Sequence, residues 1–203
     1  DRTVSRGLGD VYKRQLLNPF QAQDSACSNI YGDYYLYFGR LIDEKGVDVL
    51  IEAALSVSDA KLIIIGEGPQ EEELRLMTKK AGATNIEFVG PKWGKDLENI
   101  LLQARFVVVP SRWHENFPYV ILQAFASGRT VIGSDRGGIP EMLKDGELGL
   151  LYQADNVEEL AARISDLWND KSNAKIMGQR AKRLVDAEFS DSKFYESLNK
   201  AYQ

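Results

Sequence analysis

Short apolar runs alternate with helical stripes through most of this chain, beginning sharply at Tyr34. Segments 34–41, 61–66, 85–89, 105–109 and 130–134 have the length and the β-branched or aromatic content of strands, and 149–152 reads as an edge strand. The run Arg105-Phe106-Val107-Val108-Val109, closed by Pro110, is the pattern of a strand buried on both faces of a parallel sheet. Between the strands lie amphipathic segments such as Val49, Leu50, Ala53, Ala54 and Val57, which share one helical face. This order implies right-handed crossovers and a Rossmann-like α/β unit, a parallel sheet flanked by helices. Beyond Tyr152 the pattern turns helical. Asn156 with Glu159 reads as a capping pair, and Val157, Leu160, Ala161, Ile164, Leu167 and Trp168 form a stripe that places Trp168 in the core. Two more helices are expected at 172–187 and 190–203.

Composition narrows the function. The 203 residues are 44% hydrophobic and 27% charged, ordinary values for a globular domain, and one core of this size is expected. A formal charge of −5 gives no support to nucleic-acid binding. No apolar run approaches the roughly 18 residues of a membrane span. The lone cysteine, Cys27, excludes an internal disulfide framework and fits a reducing compartment. The lone histidine, His114, leaves no material for a His cluster, and no two aspartates are separated by one residue, so no metal site is expected. Residues 1–15 lack a periodic pattern and read as a non-native or cut end. Residues 16–33 read as a lead-in, and 34–203 as one domain.

The segment Pro110-Ser111-Arg112-Trp113-His114-Glu115-Asn116-Phe117-Pro118 carries the richest chemistry. It follows a buried strand and precedes a helix expected over 118–127, with Pro118 in the first helical position and Gly128 at the C-terminal cap. Such a helix start attracts phosphate through its orphan N–H groups and its dipole. A carboxylate in the same turn repels phosphate, so Glu115 is expected to face a hydroxylated group beside it. A sugar joined to phosphate meets both demands.

A second loop, Phe38-Gly39-Arg40-Leu41-Ile42-Asp43-Glu44-Lys45-Gly46, follows the first strand. Ligands of open α/β sheets gather at the carboxyl ends of the strands, which puts this loop on the correct side. Gly39 admits a ligand close to the backbone, Arg40 offers a planar fork, and Lys45 a point charge for phosphate oxygens. Gly66-Glu67-Gly68-Pro69 begins a dinucleotide fingerprint but has Glu71 where the third glycine belongs, so a tight strand-to-helix turn is the better account. Gly137-Gly138 could form a backbone nest or merely a turn. Lys92 and Trp93 are candidates for contact with a nucleobase. His114 reads as structural or as a substrate-edge residue rather than a general base.

From about residue 34 to 189 the chain resembles the C-terminal, nucleotide-sugar-binding domain of the retaining glycosyltransferases of family four, which have the GT-B architecture. The shared features are Phe-Gly-Arg-Leu and Lys-Gly at 38–46, Gly-Glu-Gly-Pro at 66–69, Pro-Ser and Glu-Asn-Phe-Pro at 110–118, Ala-Phe-Ala-Ser-Gly at 124–128, and Gly-Gly-Ile-Pro-Glu, Asp-Gly and Gly-Leu-Leu at 137–151. The resemblance implies a hexosyltransferase-type enzyme of polysaccharide biosynthesis that uses a nucleoside diphosphate sugar as co-substrate and no cofactor. Arg40 and Lys45 would bind the diphosphate and neutralise charge on the leaving group in place of a metal. With Glu115, which would bind hydroxyls of the transferred sugar, they form the implied catalytic set. Gly39, Asn116, Phe117 and Pro118 would complete the donor site, the middle two through backbone N–H groups.

The family's second glutamate falls eight positions after the first, and here that position is Gln123. Counted from Pro118, Gln123 lies about 7.5 Å along the helix. Exchanging a carboxylate for an amide on the ribose diol costs roughly 1 kcal/mol, so weakened donor binding is expected. The resemblance also implies an acceptor-binding N-terminal domain, to which nothing here corresponds. The expectation is a domain fragment that is inactive alone, from a cytoplasmic enzyme that could sit peripherally at the inner membrane. A GT-B nucleotide-sugar epimerase and a non-catalytic nucleotide-binding or interaction module are the alternatives.

Overall fold

A computed structural model describes residues 31–189 together with Lys193, Tyr195, Glu196, Leu198 and Asn199. The expected tail, most of the lead-in and Cys27 lie outside the described residues, as does most of the helix expected at 190–203. Six strands form one parallel sheet: β1 (Tyr35–Phe38), β2 (Leu62–Ile65), β3 (Ile86–Phe88), β4 (Phe106–Val109), β5 (Thr130–Ser134) and β6 (Gly149–Tyr152). All six fall within the runs read from the sequence: β5 and β6 match theirs, and the other four are shortened where the chain leaves the ladder for the loops. Their spatial order is β3-β2-β1-β4-β5-β6, the doubly wound order in which the winding reverses between β1 and β4.

Among the described residues the two faces are covered by α1 (Val47–Ser56), α2 (Glu71–Lys80), α3 (Gly94–Leu101), α4 (Tyr119–Ala126), α5 (Ile139–Leu143), α6 (Val157–Asn169) and α7 (Lys171–Glu188). The period-two alternation of β1 divides its side chains between two cores. Tyr35 and Tyr37 join the layer beneath α1, α2 and α6, while Leu36 and Phe38 join the layer beneath α3, α4 and α5. Helix α7 contributes Ala174 and Met177 to the first layer and Ala181 and Val185 to the second. The α6 start is capped as expected, with Asn156 Oδ1 accepting from Glu159 N–H at 2.9 Å. The Glu159 carboxylate accepts from Gln153 N–H at 2.9 Å, three residues further back than the usual reciprocal bond. Trp168 packs against the first core, with the Arg105 guanidinium 3.7 Å above its ring.

Two helical details differ from the sequence reading. Pro118 is not the first helical residue: its φ of −71° and ψ of 107° are extended, it stands at the N-cap, and α4 starts at Tyr119. Residues 139–143, which follow the glycine pair read as a nest or a turn and for which no helix is expected, form the short helix α5, with Pro140 suited to its first turn.

The switch point is where the sheet opens. β1 and β4 share a single registered pair, Leu36 with Val107, whereas β1 with β2 and β4 with β5 pair along four residues. Beyond that pair the two strands diverge, and a crevice forms at their carboxyl ends.

Candidate functional site

The loop after β1 is fixed by backbone contact with its neighbour after β2. Gly39 N–H donates to Ile65 O, Leu41 N–H to Glu67 O and Gln70 N–H to Leu41 O, at 3.0, 2.9 and 3.1 Å. Gly66 and Gly68 permit this approach, since a Cβ on either would strike the backbone oxygen of Gly39 or Leu41. Gly-Glu-Gly-Pro is therefore a tight turn that buttresses the Arg40 loop. From below, the Tyr37 hydroxyl donates to Arg40 O at 2.7 Å. Burial, reinforced by the nearby Glu115 carboxylate and opposed by Arg40, pushes the Tyr37 phenol well above the usual tyrosine range and keeps it a donor.

The loop then makes a single 3-10 turn, Asp43–Lys45, that ends on Gly46 with φ 62°. A Cβ at Gly46 would collide with Pro110 O, so glycine is required where the β1 and β4 loops cross. This crossing brings Lys45 to Glu115: the ammonium pairs with Oε1, and Ser111 Oγ donates to the same oxygen at 3.0 Å. Both charged side chains are mostly buried, with 25% and 18% of their surface exposed.

Arg112 locks the crossing. Its guanidinium makes a two-pronged pair with Asp48 at 2.8 and 2.6 Å, and it also reaches Asp155 at 2.6 Å and Asp43 at 3.1 Å. Hydrogen bonding to Asp48 is the main cause that holds the Arg112 pKa above its ordinary value; burial opposes it and Asp155 adds to it. The main chain runs in parallel, with Arg112 N–H and Trp113 N–H both donating to Glu44 O at 2.9 and 3.2 Å. Three segments distant in sequence, the Asp43–Lys45 turn with the start of α1, the β4 loop and the turn before α6, are thus held as one body.

Two adjoining cavities result. A crevice of 210 Å³ between the diverging strands is walled by Tyr37, Phe38, Val108 and Val109, with Gly39, Ser111 and Pro118 at its rim. A second, of 320 Å³, is lined by Arg40, Ile42, Glu44, Lys45, Trp113 and Glu115. Arg40, Lys45 and Glu115 line both. The sequence-derived residues Gly39, Arg40, Lys45, Glu115 and Pro118 are therefore brought together. The α4 start has no side-chain cap, and Pro118 and Val120 border the first cavity.

Other candidates fall outside. Asn116 and Phe117, expected to act through backbone N–H groups, line neither cavity; the Asn116 and His114 side chains are exposed, and the Phe117 ring lies 5.9 Å from that of Phe189. Gln123 is half-buried on α4, about 6 Å along the axis from Tyr119 rather than 7.5 Å from Pro118, and is not among the residues that line either cavity. Lys92 and Trp93 stand at the end of β3, the outer strand of the sheet, and line neither cavity. Gly137 and Gly138 lie against the Glu115-Asn116 backbone, with Gly138 N–H donating to Glu115 O at 2.7 Å, so they shape that turn. Tyr37, Ser111, Arg112 and Trp113 are the residues that sequence reasoning left without a role. Ser111, four residues before a carboxylate in a post-strand turn, carried a local signal; the partners of Arg112 are too far away in sequence to give one. Among the described residues no group of three His, Cys, Asp or Glu could hold a metal, and no helix is long and apolar enough to cross a membrane.

A doubly wound sheet with cations and a carboxylate converging at its switch point is the Rossmann-like half of a GT-B glycosyltransferase. The chain belongs to the glycosyl transferases group 1, whose family model matches residues 28–184. It is 31% identical over 174 residues to an uncharacterized glycosyltransferase of Methanocaldococcus jannaschii, covering 85% of this chain and 49% of that protein. The chain thus spans about half the length of that curated relative. Among solved structures, Staphylococcus aureus TarM in complex with fondaparinux, α-GlcNAc-glycerol and UDP superposes with a TM-score of 0.82 at 20% identity, over 94% of this chain and 39% of that one. The C-terminal domain of a glycosyl transferase group 1 family protein from Francisella tularensis superposes with a TM-score of 0.71 at 27% identity, over 80% of this chain and 89% of that one.

Proposed function

We propose that this chain is the donor-binding half of a retaining hexosyltransferase, which moves a sugar from a nucleoside diphosphate to a carbohydrate or lipid acceptor. The observation that carries this reading is the meeting of Arg40, Lys45 and Glu115 on the walls of the switch-point cavities. The diphosphate lies against Arg40, Lys45 and the N-terminal end of α4, where two cations and the helix dipole compensate its charge. Glu115 accepts from hydroxyls of the transferred sugar. Lys45 pairs with Glu115; a bound diphosphate draws Lys45 to its oxygens and frees the carboxylate for the sugar. As the glycosidic bond breaks, the same two cations stabilise the negative charge that grows on the departing diphosphate.

The UDP in the TarM structure and the length of the M. jannaschii relative support this reading, including a partner half that supplies acceptor-binding groups. The test is calorimetric titration of uridine, guanosine and adenosine diphosphates and their sugars into wild type and Arg40→Ala. Wild type should bind one nucleotide series, with Arg40→Ala about tenfold or more weaker. Binding indifferent to Arg40 overturns the site, and sugar transfer by these 203 residues alone overturns the need for a partner half.

A further inference from the structure

Trp113 has 64% of its surface exposed two residues from Glu115, and its indole lines the 320 Å³ cavity beside Arg40, Glu44, Lys45 and Glu115. Of the other large apolar side chains exposed among the described residues, Leu76, Trp93, Tyr119, Ile176 and Tyr195, none lines either of the two cavities. Its backbone is held: Trp113 N–H donates to Glu44 O at 3.2 Å, Trp113 O accepts from Glu115 N–H at 3.0 Å, and the neighbouring Arg112 is clamped by three carboxylates. The backbone that carries this exposed indole is thus fixed two residues from Glu115. Pre-organisation of this kind reduces the ordering cost of binding.

The cavity pairs one aromatic face with two cations and two carboxylates, and its volume lies within the roughly 300–1,000 Å³ of small-molecule sites. A flat ring with an apolar C–H face and a rim of hydroxyls matches that lining: the face lies on the indole, and the rim reaches Glu44 and Glu115. An acyl chain would cover these charged groups without offering them a hydrogen bond. A nucleobase is separated from the transferred sugar by ribose and diphosphate, whereas Trp113 adjoins Glu115, at the sugar end of the donor.

We infer that Trp113 is the stacking platform for the pyranose ring of the acceptor, so that the acceptor of this enzyme is a glycoside whose sugar enters the second cavity. This inference rests on the donor-site reading above.

The test follows the indole N–H resonances of Trp93, Trp113 and Trp168 in 1H–15N spectra. The chain is saturated with the nucleoside diphosphate that binds, then titrated with methyl glycosides of glucose, mannose and N-acetylglucosamine, and separately with phosphatidylcholine vesicles. At least one glycoside should shift Trp113 while leaving Trp93 and Trp168 in place. Its affinity should fall about tenfold in Trp113→Ala and largely return in Trp113→Tyr, with nucleotide affinity unchanged in both. If nucleotide binds but no glycoside moves Trp113, this inference alone falls. It falls too if vesicles move Trp113 instead, or if Trp113→Ala weakens the donor sugar rather than the added glycoside. If no nucleotide binds, the donor-site reading falls and this inference falls with it.

Discussion

The loops that follow β3 and β4 each carry a cation and then a tryptophan, Lys92-Trp93 and Arg112-Trp113, at the same edge of one sheet. Both indoles are exposed, 68% and 64%. Their surroundings differ. The β3 loop leaves the outer strand, Trp93 caps α3 without a side-chain hydrogen bond, and the glycines on either side, Gly90 and Gly94, have open space where a Cβ would go. The β4 loop leaves a central strand at the winding reversal, where the β1 loop and the turn before α6 converge on it and Asp43, Asp48 and Asp155 close around Arg112. The same two side chains make a surface feature in one place and a site wall in the other, because topology decides how many other segments arrive.

The difference is open to measurement, and the largest effect is expected where the two crossing loops touch. Gly46→Ala forces a left-handed φ on alanine and drives its Cβ into Pro110 O, costing about 3 kcal/mol of folding stability. Gly90→Ala, with φ 70° in open space, should cost only about 1 kcal/mol. Denaturant unfolding reads both, and equal losses would erase the contrast between the loops.

Next in size, Arg112→Ala leaves three carboxylates facing one another and should cost about 2–3 kcal/mol, while Lys92→Ala stays within about 0.5 kcal/mol. Nucleotide affinity should fall with the first and not the second, because Arg112 holds the turn that carries Lys45.

A smaller effect is expected at Tyr37, whose hydroxyl fixes Arg40 O. Tyr37→Phe removes one partly buried hydrogen bond, worth about 1 kcal/mol. The pH dependence has a definite sign. Burial raises the folded-state pKa of Tyr37 above the ordinary 10.0, as it does for Tyr35 and Tyr152. The neutral phenols therefore contribute fully below pH 10 and lose that contribution as the pH climbs through the folded values. Stability should be indifferent to these groups near neutrality and fall under alkaline conditions, with Tyr37→Phe falling less steeply than wild type.

The smallest expected effect is on α4. Gln123→Glu should tighten nucleotide binding by roughly 1 kcal/mol, about fivefold, if the side chain reaches the ribose diol. No change in calorimetry would agree with its position outside both cavities and would remove it from the donor site.

Most of the fold was legible because it follows from local pattern. All six strands fall within the runs read from alternation and β-branched content, and the α6 cap follows from Asn156 and Glu159. Helix α5 was missed because five residues, one of them proline, give no helical period. Pro118 was placed one position too far into α4: its fixed φ suits the helix, but its ψ is set by the extended chain that enters the crevice. Trp93 is a candidate by residue type alone, and only the strand order shows that its loop follows β3 at the edge of the sheet.

Sequence by itself determined the doubly wound class and the loops that carry Arg40, Lys45 and Glu115, since residue type and position after a strand are local properties. Tertiary structure decided that β1 and β4 separate after one registered pair, that Lys45 and Glu115 meet, and that Arg112 gathers Asp43, Asp48 and Asp155. Those facts depend on segments up to 70 residues apart becoming neighbours, and no local period encodes which distant carboxylates will face a given guanidinium.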